Sequence, residues 1–337
     1  MSLGACILGC SGPVLTATEK AFFADARPWG FILFARNVET PEQVVALTAS
    51  LREAAGREDA PVLVDQEGGR VRRLRPPHWP SYPAARAYGE LPVADRREIA
   101  RLGGRLMAHD LAAVGIDTDC LPVLDVPAPD GHEVIGDRAY ADTPDEVAAL
   151  GRAAAEGLMA GGVLPVVKHM PGHGRARADS HHALPVVDAP LDELEARDFA
   201  PFRALADLPM AMSAHVVYAA IDPERPATTS PVVIGDVIRG RIGFDGLLMT
   251  DDLSMQALAG GFRERAETAR AAGCDLVLHC NGDMAEMRAA AEGAGRLDGE
   301  AARRAAAALA RRSTPEPFEV AEGRARFEMA FAGRLAA

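Results

Sequence analysis

The sequence predicts an α/β fold, a single-domain (β/α)8 TIM barrel, and three observations support this prediction. Short apolar segments recur along the chain, each bounded by Gly, Pro or Asp and followed by an Ala-, Glu- and Arg-rich stretch with helical spacing. The segments lack polar alternation, which is typical of parallel strands that are buried on both faces. They number eight, which is the strand count of a (β/α)8 barrel.

The predicted strands and helices alternate in chain order. The strand segments are residues 5–9, 30–34, 61–65, 117–125, 164–169, 211–217, 246–250 and 275–279. The predicted helices between them include residues 41–55, 94–113, 144–160, 191–205 and 263–272. A doubly wound open sheet is the main alternative, but the Gly-x-Gly-x-x-Gly turn that usually follows its first strand is missing here.

Length and composition fit one globular domain. The chain has 337 residues without a low-complexity linker, so we expect one domain over residues 1–337. Acidic residues outnumber basic ones by 48 to 36, which disfavours nucleic acids and anionic membrane surfaces as partners. No apolar run approaches the roughly 20 residues that span a bilayer, and the five cysteines form no Cys-x-x-Cys pair. We therefore expect a cytoplasmic protein, and a monomer.

Polar side chains gather at the carboxyl ends of several predicted strands, where the active sites of such barrels lie. Asp65 ends the third strand, Lys168 and His169 end the fifth, His215 lies at the end of the sixth, and Asp251 follows the seventh. Taken alone, each could cap a helix or form a structural ion pair. Their convergence on one end of the barrel predicts an active site instead.

Two chemistries fit these residues. In the first, Asp251 is a nucleophile, His181 is the general acid and base, and Asp179 orients the imidazole of His181. In the second, a divalent metal that activates water is bound by His169, His173, His181, His215 and Asp251. The residues favour the first, because metal hydrolases with this fold usually carry a His-x-His pair on the first strand, and that strand has no histidine here. A sugar-binding protein without catalysis is a third possibility.

Three long motifs follow one another along the chain. They are Val64-Asp65-Gln66-Glu67-Gly68-Gly69-Arg70-Val71-x-Arg73, Lys168-His169-x-Pro171-Gly172-His173-Gly174-x4-Asp179-Ser180-His181 and Thr250-Asp251-Asp252-Leu253-Ser254-Met255. Together they resemble glycoside hydrolase family 3, most closely its β-N-acetylglucosaminidase branch. The resemblance implies a retaining exo-hydrolase that removes a terminal β-linked N-acetylglucosamine and needs neither a cofactor nor a metal.

The resemblance also implies roles for individual residues. Asp251 corresponds to the nucleophile, and Asp179 and His181 correspond to an acid/base dyad on one loop. Contacts with the hydroxyl and acetamido groups of the sugar are implied for Asp65, Arg73, Arg138, Lys168 and His169. Family members without this dyad usually take their acid from a second domain, which we do not expect in this chain.

The implied substrate is N-acetylglucosamine linked to 1,6-anhydro-N-acetylmuramic acid, a small muropeptide of peptidoglycan recycling in the cytoplasm. Phosphorolysis stays open as an alternative, because a histidine acid/base is neutral when deprotonated and tolerates phosphate as the acceptor. Since the substrate can carry carboxylates, we expect Arg73, Arg138 and Lys168 to make the pocket locally positive. The chain departs from the family motif at Met170, where Phe is usual, and we expect only a repacked loop base.

Overall fold

The computed structural model describes residues 2–129, 131–176 and 184–332. Within these residues the strands in chain order are β1 (Gly4–Leu8), β2 (Pro28–Leu33), β3 (Val62–Val64), β4 (Thr118–Asp119), β5 (Leu164–Met170), β6 (Val186–Val187), β7 (Met210–Ser213), β8 (Val217–Tyr218), β9 (Asp222–Pro226), β10 (Leu247–Asp252) and β11 (Leu276–His279). Eight of them are parallel and close into a barrel in the order β1-β11-β10-β7-β5-β4-β3-β2. The predicted (β/α)8 fold is confirmed.

Helices surround the barrel, and several begin and end where the sequence predicts. They are α1 (Ala17–Ala26), α2 (Pro41–Ala55), α3 (Ala85–Gly89), α4 (Arg96–Ala112), α5 (Pro144–Ala160), α6 (Leu191–Glu193), α7 (Ala200–Ala204), α8 (Phe262–Ala272), α9 (Met284–Ala294), α10 (Gly299–Ala310) and α11 (Val320–Ala330). The bounds of α2 and α5 equal the predicted ones, and a proline occupies the first turn of each, where its missing N–H costs nothing. Among the described residues, no helix is both long and apolar enough to cross a bilayer.

The helices α4 and α5 pack closely because glycines lie at their contact. A Cβ atom on Gly104 would lie 2.2 Å from the carbonyl oxygen of Ala154, and one on Gly157 would lie 2.0 Å from that of Arg101. Any larger residue at these two positions would force the helices apart. This contact joins α4 to α5, which packs against β5, and β5 carries part of the pocket described below.

Three predicted elements differ from the observed ones. The predicted strand 117–125 is regular only at Thr118–Asp119, because Pro122 has no N–H to donate to a neighbouring strand. The predicted helix 191–205 is broken into α6, a π-helical segment (Leu194–Asp198) and α7, since Pro201 cannot donate an intrahelical hydrogen bond. The predicted strand 211–217 ends at Ser213, and its last residue belongs instead to a small sheet of β6, β8 and β9.

Candidate active site

A cavity of about 290 Å³ opens at the carboxyl ends of the barrel strands. This is the end of the barrel at which enzymes with this fold place their active sites. Its wall includes seven of the residues singled out from the sequence, namely Asp65, Arg73, Arg138, Lys168, His169, His173 and Asp251. The fold therefore brings together side chains from β5, β10 and the segments that follow β3, β4 and β5.

Glu67 is the functional residue to which the sequence analysis gave no role. Its carboxylate is 3% exposed and lies 2.6 Å from the ammonium group of Lys168. It also receives two hydrogen bonds of 2.8 Å from the guanidinium group of Arg138. Burial favours the neutral acid, but Arg138 and Lys168 outweigh it and lower the pKa of Glu67 to about 2. The signal in the sequence was its place in the motif after β3, two residues beyond Asp65.

Asp65 forms the second centre of this ion-pair network. Its two carboxylate oxygens lie 2.8 Å from Lys168 Nζ and 2.9 Å from Arg73 Nη2. Burial acts to raise the pKa of Asp65, and the two cations outweigh that effect, so the pKa falls well below its usual range. Lys168 thus contacts two ionised carboxylates at once, and its own pKa is raised although burial opposes the charge.

The expectation of a positive pocket was wrong for the described residues. The three cations of the wall, Arg73, Arg138 and Lys168, are each paired with Asp65 or Glu67. Asp251 and Asp252 add two more carboxylates to the same wall, so acidic groups outnumber basic ones. Such pairs present fixed donors and acceptors to a ligand rather than a net charge, which suits an uncharged polyol.

Asp251, the proposed nucleophile, lies at the end of β10 and faces this cavity. Burial acts to raise the pKa of its carboxyl group, but the nearby His215 and His169 outweigh it. The backbone N–H of Asp252, which donates to Asp251 Oδ1 over 2.8 Å, acts in the same direction. The pKa of Asp251 is therefore lowered, and the side chain is a carboxylate at neutral pH.

The neighbouring Asp252 has a different environment. Its Oδ1 accepts the backbone N–H groups of Ser254 over 3.0 Å and of Cys280 over 3.1 Å, and Oδ2 accepts the hydroxyl of Ser254. These bonds tie β10 to the residue that follows β11 and commit Asp252 to the backbone. Both adjacent aspartates line the cavity, but the carboxylate of Asp252 is occupied by these hydrogen bonds, whereas among the described residues only the N–H of Asp252 donates a hydrogen bond to Asp251.

The histidines of the metal hypothesis do not form a ligand set in the described part of the chain. Both ring nitrogens of His215 have protein partners, Thr228 Oγ1 at 2.8 Å and the carbonyl oxygen of Asp252 at 3.0 Å. His169 Nδ1 lies 2.7 Å from a carboxylate oxygen of Asp125. Within residues 2–129, 131–176 and 184–332, no three His, Cys, Asp or Glu side chains are placed to hold a metal ion.

Asp125 is a second residue that the sequence analysis left without a role. It is fully buried, and besides His169 Nδ1 it accepts the backbone N–H of His173 over 2.6 Å. The signal in the sequence was its position at the end of the fourth predicted strand, the same kind of position that pointed to Asp65 and Asp251.

The predicted acid/base dyad, Asp179 and His181, lies outside the described residues. The segment that leads to it is held at several points. The hydroxyl of Tyr218 donates to the carbonyl oxygen of Gly172 over 2.6 Å. Arg175 forms ion pairs of 2.7 Å with Glu193 and with Asp198. Residues 172–175 are therefore fixed against β8, α6 and the π-helical segment.

A comparison with known families agrees with the motifs. The family model described as the Glycosyl hydrolase family 3 N terminal domain matches residues 15–311. The chain belongs to glycoside hydrolase family 3. The family assignment made from the three sequence motifs is thereby confirmed.

Curated relatives of this family 3 protein are similar over most of their length. The Beta-hexosaminidase of Methylococcus capsulatus is 44% identical over 274 residues, which cover 80% of each chain. The Beta-hexosaminidase of Pseudomonas aeruginosa is 42% identical over 284 residues, which cover 82% of each chain.

Solved structures of family 3 proteins have the same architecture. Native NagZ from Neisseria gonorrhoeae superposes with a TM-score of 0.84 at 34% identity, covering 100% of this chain and 99% of that chain. A β-N-acetylglucosaminidase from Paenibacillus sp. gives a TM-score of 0.87 at 32% identity, covering 97% of this chain but only 66% of that longer one.

Proposed function

We propose that this family 3 β-hexosaminidase is a retaining exo-β-N-acetylglucosaminidase. Its substrate is a terminal N-acetylglucosamine β-linked to 1,6-anhydro-N-acetylmuramic acid, with or without a peptide. The observation that carries the proposal is the half-buried, ionised Asp251 in a cavity whose wall carries paired donors and acceptors. A carboxylate in such a cavity is the nucleophile that a double displacement at a sugar carbon requires.

The reaction has two steps. The carboxylate of Asp251 attacks the anomeric carbon, and the bond from this carbon to the leaving oxygen breaks while His181 donates a proton to that oxygen. His181, oriented by Asp179, then removes a proton from water, which attacks the same carbon and releases Asp251. The sugar is freed with its original anomeric configuration, because the two displacements each invert it.

The network around Asp65 and Glu67 has the role of holding the sugar. Lys168, Arg73 and Arg138 direct N–H groups of fixed orientation at the cavity, while Asp65 offers carboxylate oxygens that accept sugar hydroxyl protons. A cavity of about 290 Å³ is suited to one sugar ring rather than a run of several. This supports action at the end of a saccharide and on small muropeptides.

The test is product identity from a defined muropeptide mixture, followed by chromatography and mass spectrometry. We expect free N-acetylglucosamine and the corresponding 1,6-anhydro-N-acetylmuramyl product. Adding phosphate distinguishes hydrolysis from phosphorolysis, because a phosphorylase would release N-acetylglucosamine 1-phosphate. Binding without any product after prolonged incubation would exclude an enzyme acting on this substrate.

The metal-dependent alternative is tested in the same assay. Full activity after exhaustive chelation would exclude it, whereas activity that is lost on chelation and restored by one divalent cation would overturn the metal-free mechanism. The peptidoglycan-recycling role, the cytoplasmic location and the monomeric state belong to the same proposal. Fractionation of cells and light scattering of the purified protein measure the last two.

A further inference from the structure

Asp125 lies behind the wall of the cavity and is not one of the described residues that line it. Its carboxylate is fully buried, and its oxygens take three N–H groups of β5 and the segment that follows. Oδ2 lies 2.7 Å from His169 Nδ1, and Oδ1 accepts the backbone N–H of His169 over 3.3 Å and that of His173 over 2.6 Å.

The two ring contacts of His169 agree on where its proton lies. Burial acts to raise the pKa of Asp125, but His169 and the backbone N–H of His173 outweigh it, so Asp125 is an ionised acceptor. His169 Nδ1 must then carry a proton. On the other side of the ring, His169 Nε2 lies 3.5 Å from Arg138 Nη2, which can only donate.

We propose that Asp125 is a positioning residue that keeps His169 in the tautomer with the proton on Nδ1. In that tautomer Nε2 presents a lone pair to the cavity and accepts a hydroxyl proton of the sugar. The same carboxylate fixes the backbone at His173, six residues before Asp179. Asp125 thus holds both His169, a proposed sugar contact, and the backbone at His173, from which the chain leads to the predicted acid/base residues. The proposal rests on the proposed function for the identity of the sugar.

The substitution Asp125→Asn separates this role from simple packing. Asparagine has the same shape, and its carbonyl oxygen still accepts the N–H of His173. Its amide group now donates to His169 Nδ1, which forces the ring proton onto Nε2 and turns the acceptor in the cavity into a donor. Asp125→Ala removes both the contact with the His169 ring and the contact with the backbone N–H of His173. The difference between the two variants therefore measures the contribution of the backbone contact.

The first readout is the ring ¹⁵N chemical shifts of His169 in protein labelled at histidine, with His169→Gln used to assign the signals. We expect the Nδ1-protonated form in the wild type and the Nε2-protonated form in Asp125→Asn. This measurement does not depend on turnover, so it stands even if the proposed substrate is wrong. An Nε2-protonated or doubly protonated ring in the wild type at neutral pH would overturn the proposal.

The second readout is kcat/KM for an aryl N-acetyl-β-glucosaminide. We expect a loss on the order of 10- to 100-fold in Asp125→Asn, in line with other residues that orient a functional histidine. The loss should largely vanish in a His169→Gln background, because the two residues act as one unit. Equal losses in both backgrounds, or unchanged kinetics despite a changed tautomer, would overturn the proposal.

Asp222→Asn provides the matched control. Asp222 is also a buried aspartate, but its carboxylate accepts the hydroxyl of Ser230 over 2.7 Å and it lies on β9, away from the cavity wall. We expect wild-type kcat/KM and an unchanged His169 tautomer in this variant. If the wild type itself has no activity on the aryl glycoside, the proposed function fails while the tautomer measurement still decides the role of Asp125.

Discussion

Glu67 Oε1 lies 2.6 Å from Lys168 Nζ, and both side chains are almost completely buried. The same carboxylate receives two hydrogen bonds from Arg138. One acidic side chain therefore sets the position of two of the donors that line the cavity. Because the carboxylate holds both cations in place, they present hydrogen-bond donors at fixed positions and do not move to pair with a charged ligand.

The first prediction concerns the loss of that carboxylate. Glu67→Gln keeps the shape but leaves Lys168 and Arg138 partly uncompensated in a buried site, so we expect the free energy of unfolding to fall by about 3 kcal/mol. We also expect kcat/KM to fall by about 100-fold, since the donors shift. Urea unfolding and kinetics on an aryl N-acetyl-β-glucosaminide measure the two effects.

Glu267→Gln is the control for this prediction. Glu267 pairs with Arg263 on α8 over 2.8 Å, but both side chains are more than half exposed. Exposed pairs contribute little to stability, so we expect no measurable change in either quantity. Similar losses in the two variants would show that removal of a carboxylate, rather than the buried network, is responsible.

The second prediction concerns Asp251. Asp251→Ala removes the proposed nucleophile, and we expect kcat to fall by at least about 10³-fold while the protein still unfolds at the wild-type urea concentration. Azide added to this variant should restore turnover and give the α-glycosyl azide, because a single displacement inverts the anomeric carbon. Retention of substantial activity without azide would place the nucleophile elsewhere.

The third prediction concerns the acid. If His181 protonates the leaving oxygen, His181→Ala should slow the cleavage of a natural disaccharide much more than that of an aryl glycoside with a good leaving group. Single-turnover rates on the two substrates measure the difference. Equal losses on both would remove His181 from the acid role, and Asp179→Asn should reproduce the pattern of His181→Ala in weaker form.

The fourth prediction concerns pH. Burial, with a contribution from nearby His169, lowers the pKa of His173 to about 4, although Asp125 and Asp251 oppose the shift. The unfolded chain takes up this proton near pH 6.5 and the folded chain only near pH 4. The stability associated with neutral His173 is therefore complete above about pH 6.5 and declines as the pH falls toward 4.

The difference in unfolding free energy between the wild type and His173→Gln isolates this effect from the other titrating groups. As the pH falls from about 6.5 to about 4, we expect the unfolding free energy of the wild type to fall relative to that of His173→Gln, by up to about 1.4 kcal/mol per pH unit. Urea unfolding at half-unit intervals measures it. A difference that does not vary with pH would show that His173 titrates normally in the folded protein.

Much of the barrel was predictable because its strands are uniformly apolar and each has its own place in the chain. Two of the three differing elements share one cause. Pro122 and Pro201 each lack an N–H, and the apolar pattern around them does not report that loss. The regular hydrogen bonding is interrupted near these residues, with β4 ending at Asp119 and α7 beginning only at Ala200, although the hydrophobic pattern continues.

The candidate site was predictable in position but not in its internal pairing. Asp65, Lys168 and Asp251 stand at strand ends, and the fold dictates that strand ends meet. Which carboxylate pairs with which cation depends on three-dimensional distances between residues far apart in the chain. The hydrogen bond between Glu67 and Arg138 joins residues 71 positions apart, and no spacing in the sequence predicts it.

The paired cations of the cavity wall have a consequence for ionic strength. Arg73, Arg138 and Lys168 already have carboxylate partners, so a neutral sugar displaces water without exchanging counterions. Its dissociation constant should hardly change between dilute and concentrated salt, because buried pairs are screened little. A salt dependence that emerges only with a charged muropeptide would therefore locate the recognition of its carboxylates outside the sugar cavity.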